Sequence, residues 1–254
     1  MITFLQAVIL GIIQGITEWL PISSSGHLAL AQMYFGLSVP VAFDVMLHVA
    51  TLAVVFIVFW KDIVNILKAV LSLDFKSENG KLALYIIIAN IPTAIIGFAF
   101  RDTFKSFFYN RYAIASALIF TSIFLYFSDR KTGNKKLNYK NTFLIGIAQG
   151  IAIIPGISRS GITISMGLLG KIDRKLVAKF SFLLSIPAII GASIFEVKNL
   201  ALADISIPLL SVAMISSFIV GYISLKLLLK IIINKKFHLF AYYCFILGLI
   251  LFVI

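Results

Sequence analysis

The chain has 254 residues, 61% of them hydrophobic and only 13% charged, with a mean hydropathy of +1.05. A soluble domain carries about 25% charged residues, so a water-soluble fold is excluded, as are a disordered or collagen-like chain and a disulfide framework, Cys244 being alone. The net charge of +12 lies in short segments between apolar runs, which is the pattern of membrane topology, and no nucleic-acid recognition motif accompanies it, so no nucleic-acid partner is expected.

In chain order, the first feature is an apolar stretch over 1–36, broken at Pro21-Ile22-Ser23-Ser24-Ser25-Gly26-His27. It carries no basic amino-terminal region, so no cleavable signal peptide is expected. Runs of membrane-spanning length follow at about 39–60, 82–100 and 112–127. A polar linker, 128–141, leads to a second broken stretch, 142–170, interrupted at Pro155-Gly156-Ile157-Ser158-Arg159-Ser160-Gly161. Three more spans read at about 177–196, 205–229 and 238–254. Pro92 and Pro187, in similar strings, predict kinks. Asp44 and His48 lie four apart on one helical face, which reads first as a buried polar pair and second as an accessory to a site. His238, beside Lys235 and Lys236, reads as interfacial.

Charge decides whether 142–170 crosses the membrane. If it dips in and returns, 17 of the 22 Lys and Arg residues fall on one side, 4 (Arg101, Lys105, Arg111 and Lys198) on the other, and Arg159 inside the stretch. A single crossing would leave 10 and 11, and the asymmetry would vanish. The positive-inside rule therefore favours a re-entrant helix–loop–helix, because each arm is too short to span, and it makes the basic side cytoplasmic.

The two broken stretches repeat one another. At a constant offset of 135, residues 11–26 and 146–161 share nine identities in sixteen positions without a gap, including Gly11, Gln14, Gly15, Ser23, Ser25 and Gly26. Each half is then one re-entrant hairpin plus three spans, and the odd span count inverts the second half. The expected fold is an all-α polytopic membrane protein of one domain, 1–254. Half one covers 1–127 with re-entrant 1–36, and half two covers 142–254 with re-entrant 142–170. In total it has six transmembrane helices and two re-entrant hairpins in an inverted-topology repeat, with both termini outside. Such a plan places a site where the hairpin tips meet.

Glu18, His27 and Arg159 lie at or beside those tips, at membrane depth, where ionisable groups are costly and mark function. An ion pair of Glu18 with Arg159 that only holds the hairpins together is the plainer alternative. Glu18 aligns with Ile153, His27 with Ile162 and Ser24 with Arg159, so the backbone frame repeats while the reactive side chains differ. The group suits phosphate chemistry. The amino ends of the second hairpin helices bind anions, and Arg159 can clamp them in a bidentate manner. The hydroxyls of Ser23, Ser24, Ser25, Ser158, Ser160 and Thr163 can bond oxygens, and Gly26 and Gln14 are expected with them among the substrate-binding residues. His27 suits a general acid or base and Ser24 a nucleophile, although serine at such positions also caps helices.

The strings Gln14-Gly15-Ile16-Thr17-Glu18-Trp19-Leu20-Pro21-Ile22-Ser23-Ser24-Ser25-Gly26-His27 and Pro155-Gly156-Ile157-Ser158-Arg159-Ser160-Gly161-Ile162-Thr163 resemble the undecaprenyl-diphosphate phosphatase family, also known for bacitracin resistance. The resemblance covers essentially the whole chain. It implies hydrolysis of a polyprenyl diphosphate lipid to the monophosphate, at a plasma-membrane site open to the outer face, which recycles the lipid carrier of cell-envelope synthesis. It also implies a divalent cation, Mg or Ca, and leaves a homodimer open. By motif position, Glu18, His27 and Arg159 resemble the family's essential acid, histidine and arginine, with Ser24 as the proposed nucleophile. Many relatives have Glu where this chain has Gln14; a neutral amide is a weak metal ligand, so the metal role falls to Glu18. Serine attack and direct water attack both stay open. The competing class is a lipid-phosphate transporter or flippase, since inverted repeats with a midplane site recur there.

Overall fold

The computed structural model describes residues 2–108, 110–131, 133–202 and 206–253, without the side chains of 196–202. Both chain ends, position 205 of the fifth predicted span, and the Lys198 side chain lie outside the described residues.

The regular structure among them is α-helical. The first half runs α1 (Phe4–Trp19), α2 (Ser24–Tyr34), α3 (Val41–Val58), α4 (Trp60–Leu71), α5 (Glu78–Ala99), α6 (Arg101–Phe107) and α7 (Arg111–Asp129). The second half runs α8 (Tyr139–Ile151), α9 (Arg159–Leu169), α10 (Arg174–Leu202), α11 (Ile207–Ile233) and α12 (Leu239–Val253). Helices α3, α5, α7, α10 and α11 are long and apolar enough to cross a membrane, which makes this a multi-pass membrane protein. The sixth predicted span appears as α12, apolar throughout but only 15 residues long. At 1.5 Å per residue it covers about 22 Å, against the roughly 30 Å of a bilayer core. Helices α4 and α6 were not expected. Their apolar residues alternate with Lys61, Asp62 and Lys68, or with Arg101, Asp102 and Lys105, so no apolar run announces them.

Both broken stretches are helix–break–helix units, and side chains set their ends. Thr3 opens α1 with a reciprocal capping box to Gln6, and Asn138 opens α8 in the same way with Asn141. After the break, Ser23 caps α2 by accepting from the Gly26 amide, and Ser158 caps α9 by accepting from Gly161. Pro92 and Pro187 sit inside α5 and α10 without ending them.

The first arm of each hairpin packs along a long helix of the other half, α1 on α11 and α8 on α5. Glycine makes both approaches possible. A Cβ on Gly11 would stand 2.2 Å from Ala213 O, and one on Gly146 would stand 2.2 Å from Ala89 O. Helices α3 and α10 pack together, as do α7 and α12. Buried Trp19 meets Phe182 edge-on at 5.5 Å, and Phe182 stacks on Phe59 at 5.9 Å, joining α1 and α10 at the α3–α4 junction. At the start of α10, buried Asp129 receives Arg174 Nη1 at 2.5 Å and the His238 Nδ1 contact at 2.6 Å. His238 thus pins the start of α12 to the ends of α7 and α10.

Candidate active site

The two breaks meet. Ser23, held at φ 73°, accepts from the amides of both Gly26 (3.3 Å) and Gly156 (3.1 Å), so one hydroxyl ties the tips together. Ser160 Oγ donates to Trp19 O at 3.0 Å across the same junction. Thr121, from α7, accepts from the Ser158 amide at 3.2 Å and steadies the second tip. The amino ends of α2 and α9, with their free N–H groups, are thereby brought together.

Glu18, on the last turn of α1, organises the polar cluster. Its Oε1 accepts from Arg159 Nη2 at 2.5 Å. Its Oε2 accepts from Ser24 Oγ at 2.7 Å and Gln14 Nε2 at 3.1 Å, and lies 2.8 Å from His48 Nδ1. The Glu18 side chain is only 4% exposed and that of Arg159 17%. Arg159 Cζ also lies 5.6 Å from the Trp19 ring centroid. The second guanidinium nitrogen, Nη1, is buried with no hydrogen-bond partner. A planar fork with one arm on a carboxylate and the other free is shaped to take an anion's oxygen.

The cluster opens into a cavity of about 510 Å³. Thr17, Glu18, Ser24, Ser25, His48, Ser158 and Arg159 line one part; Asn90, Thr93 and Gln149 form a second polar patch. Arg101 and Lys105 of α6 line it as well, and an apolar wall is made by Ala94, Gly97 and Phe98 of α5 with Ala188, Gly191 and Phe195 of α10.

Of the residues expected at the site, Glu18, Ser24, Arg159 and Gln14 are brought into one hydrogen-bonded cluster. Ser25 and Ser158 line the cavity. Ser23, Ser160 and Thr163 are buried and bond within the protein, Thr163 Oγ1 to Ser181 Oγ at 2.6 Å and to Arg159 O at 2.7 Å. Gly26 packs its α-carbon face on Gly156. His27 stands apart: Nδ1 donates to Ser23 O at 2.8 Å, which leaves Nε2 to accept from Tyr243 OH at 2.7 Å. Among the described residues, His27 and Ser24 share no hydrogen bond. His48 belongs to the cluster, the second of the two readings that its spacing with Asp44 left open, whereas Asp44 accepts from Gln32 at 2.8 Å. Gln149 was also missed, and the offset of 135 that pairs it with Gln14 was the available signal.

The residues can hold a cation. Among the described residues no three of His, Cys, Asp and Glu are grouped for a metal. Glu18 nevertheless stands beside the imidazole of His48 and the amide of Gln14, whose buried Oε1 has no partner. A carboxylate, an imidazole and an orphaned amide oxygen form a donor set that suits a divalent ion.

Fold and cluster together define a multi-pass membrane protein with a cavity lined by a buried Glu18–Arg159 pair. The family model for the bacitracin resistance protein BacA matches residues 7–250. Undecaprenyl-diphosphatase of Methanosphaera stadtmanae is 42% identical, the match covering 98% of this chain and 97% of that protein. The undecaprenyl-diphosphatases of Carboxydothermus hydrogenoformans and Korarchaeum cryptofilum are each 41% identical, over 98% and 96% of this chain and 96% of each relative. This chain belongs to the bacitracin resistance protein BacA family.

Proposed function

We propose that this chain hydrolyses undecaprenyl diphosphate to the monophosphate and inorganic phosphate. The observation that carries the reading is the chain Arg159–Glu18–Ser24, which lines a cavity with both a polar and an apolar wall, together with the buried and unpartnered Arg159 Nη1. Arg159 and the amino ends of α2 and α9 bind the diphosphate oxygens, while the prenyl chain lies against Ala94, Gly97, Phe98, Ala188, Gly191 and Phe195.

Ser24 Oγ attacks the terminal phosphorus and passes its proton to Glu18 Oε2, the carboxylate oxygen it already bonds at 2.7 Å. The bond from that phosphorus to the bridging oxygen breaks, and the prenyl monophosphate leaves. Water then hydrolyses the phosphoserine, releasing phosphate and restoring the hydroxyl. A divalent cation held at Glu18, when bound, neutralises phosphate charge. His27, committed on both ring nitrogens, positions the first tip through Ser23 and Tyr243.

The same reading extends to topology, as six transmembrane helices and two re-entrant hairpins in halves 1–127 and 142–254. The mirrored packing of α1 on α11 and α8 on α5, with glycine at matched positions, supports it. The charge split makes the Lys135 side cytoplasmic and the termini external. Arg101 and Lys105, of the sparse outer side, line the cavity, which supports an outward-facing opening.

The test is release of inorganic phosphate from undecaprenyl diphosphate by protein purified in detergent, with Glu18→Ala as control. A flippase has no second compartment there and would release none.

A further inference from the structure

A second cavity lies where α10 begins, α11 ends and α3 passes into α4, and it shares no lining residue with the first. Its volume is about 440 Å³, within the roughly 300–1,000 Å³ of small-molecule sites. Arg174, Lys175 and Lys179 line one part of it, and Phe59, Leu229 and Ile233 line another. Among the described residues, no acidic side chain lines it.

The three cations are not equivalent. Arg174 is committed to the fold, with both Nη atoms bonded to Asp129 and Nη2 also to Lys131 O. Lys179 Nζ donates to Asp62 Oδ1 of α4 at 2.9 Å. The Lys175 side chain is exposed and, among the described residues, has no ion-pair or hydrogen-bond partner. Lys175 and Lys179 stand four apart on one face of α10, a spacing at which like charges repel. With Asp129 matching Arg174 and Asp62 matching Lys179, one positive charge is left in excess at the cavity. A single anionic group between the two ammonium groups offsets both the repulsion and the excess.

The surroundings identify what carries that anion. The cavity opens among helix ends on the side that holds 17 of the 22 basic residues, and α10 and α11, which bound it, are long and apolar enough to span the membrane. Leu229 and Ile233, one turn apart at the end of α11, extend its apolar wall outward, Ile233 being 49% exposed. A free inorganic anion would leave that wall uncovered, whereas a lipid sets its phosphate at the helix ends and its chains along them. A zwitterionic headgroup would bring its own ammonium against Lys175. Basic pockets between helix ends are a general means of holding anionic headgroups.

We propose that this cavity binds one anionic diacyl phospholipid of the leaflet on the basic side, its phosphodiester between Lys175 Nζ and Lys179 Nζ and a chain against Phe59, Leu229 and Ile233. The site is separate from the Arg159 cluster and does not depend on the reaction carried out there.

The experiment is native mass spectrometry of the full chain in detergent, offered phosphatidylglycerol and phosphatidylcholine of identical chains in equal amounts. The expected spectrum shows a one-lipid complex in which phosphatidylglycerol prevails at least about fivefold, the factor that one lysine near an anionic lipid is worth. Lys175→Gln should bring the ratio close to unity. Lys140→Gln, which removes a charge from the same side outside the cavity, should leave it unchanged. Ile233→Trp, which fills the apolar wall and keeps every charge, should abolish the preference. Neither Arg159→Lys nor a large excess of glycerophosphoglycerol, the same headgroup without chains, should alter it. Equal binding of the two lipids, or a preference that survives Lys175→Gln or Ile233→Trp, would overturn the proposal. Equal loss in Lys140→Gln would also overturn it, by showing only general attraction to the basic side. Displacement by glycerophosphoglycerol would show an anion site without a lipid, and loss in Arg159→Lys would put the lipid in the first cavity; either result refutes the assignment.

Discussion

Replacing Arg159 with lysine separates charge from geometry. The guanidinium now bonds Glu18 through Nη2 and keeps Nη1 free. An ammonium retains the positive charge but lacks the planar fork that can hold a carboxylate and a phosphate in fixed relation. The loss is about one charge-assisted hydrogen bond, roughly 1.5–3 kcal/mol. At about 1.36 kcal/mol per decade, that lowers kcat/KM by about 10- to 150-fold. Folding should change little, because Glu18 is not left without a cation; Arg159→Ala does leave it so, at a cost of about 3–5 kcal/mol for breaking a buried pair. The assay is initial-rate phosphate release below KM, alongside thermal unfolding of both variants. A folded Arg159→Lys with near-normal kcat/KM would refute the clamp.

Ser24→Ala should reduce turnover to background, and acid-quenched wild type should contain phosphoserine at 24; substantial turnover by the variant would exclude the covalent step. If His27 positions the tip, His27→Gln, which can still bond Ser23 O or Tyr243, should keep at least about ten times the kcat of His27→Ala; equal losses would return His27 to proton transfer. In intact cells carrying Cys244→Ser, a cysteine at 135 should resist an impermeant reagent added outside, and labelling there would overturn the topology. Gly146→Ala places a methyl 2.2 Å from Ala89 O and should cost about 1–3 kcal/mol, read as a lower Tm; an unchanged Tm would mean that α8 and α5 can separate freely.

The helical architecture was legible because its signals are local. Apolar runs announce α3, α5, α7, α10 and α11, and Pro-Ser-Gly clusters mark both breaks to within a few residues. Amphipathic α4 and α6 escaped because a window that seeks continuous apolarity averages their charges away. Glu18, Ser24 and Arg159 were legible as a group because the repeat predicts that the two tips meet. His48 was legible only as the second of two readings, because its partners come from α1: the packing of α3 beside the first hairpin brings it to Glu18. The hydroxyl residues illustrate a different limit. Composition says that a serine can bond, but the first turn of a helix decides the direction, so Ser23 and Ser158 cap while Ser24 reaches the carboxylate.

The resting energetics point to a ligand. A buried ion pair is a poor device for stability, since an apolar pair of similar volume often serves as well. The Arg159–Glu18 pair goes further, leaving a buried guanidinium nitrogen unpaired. On the diphosphatase reading, a phosphate oxygen would satisfy that nitrogen. The repeat explains how the fold tolerates this. Position 153 carries Ile where its counterpart, position 18, carries Glu, and Ile153 lines the same cavity. One half therefore supplies the carboxylate while the other contributes Arg159 and an apolar wall, and the net charge at the junction stays balanced without a second buried acid. An amphiphile with a charged head and a hydrocarbon tail matches that division, whereas a small free anion would use only half of the cavity.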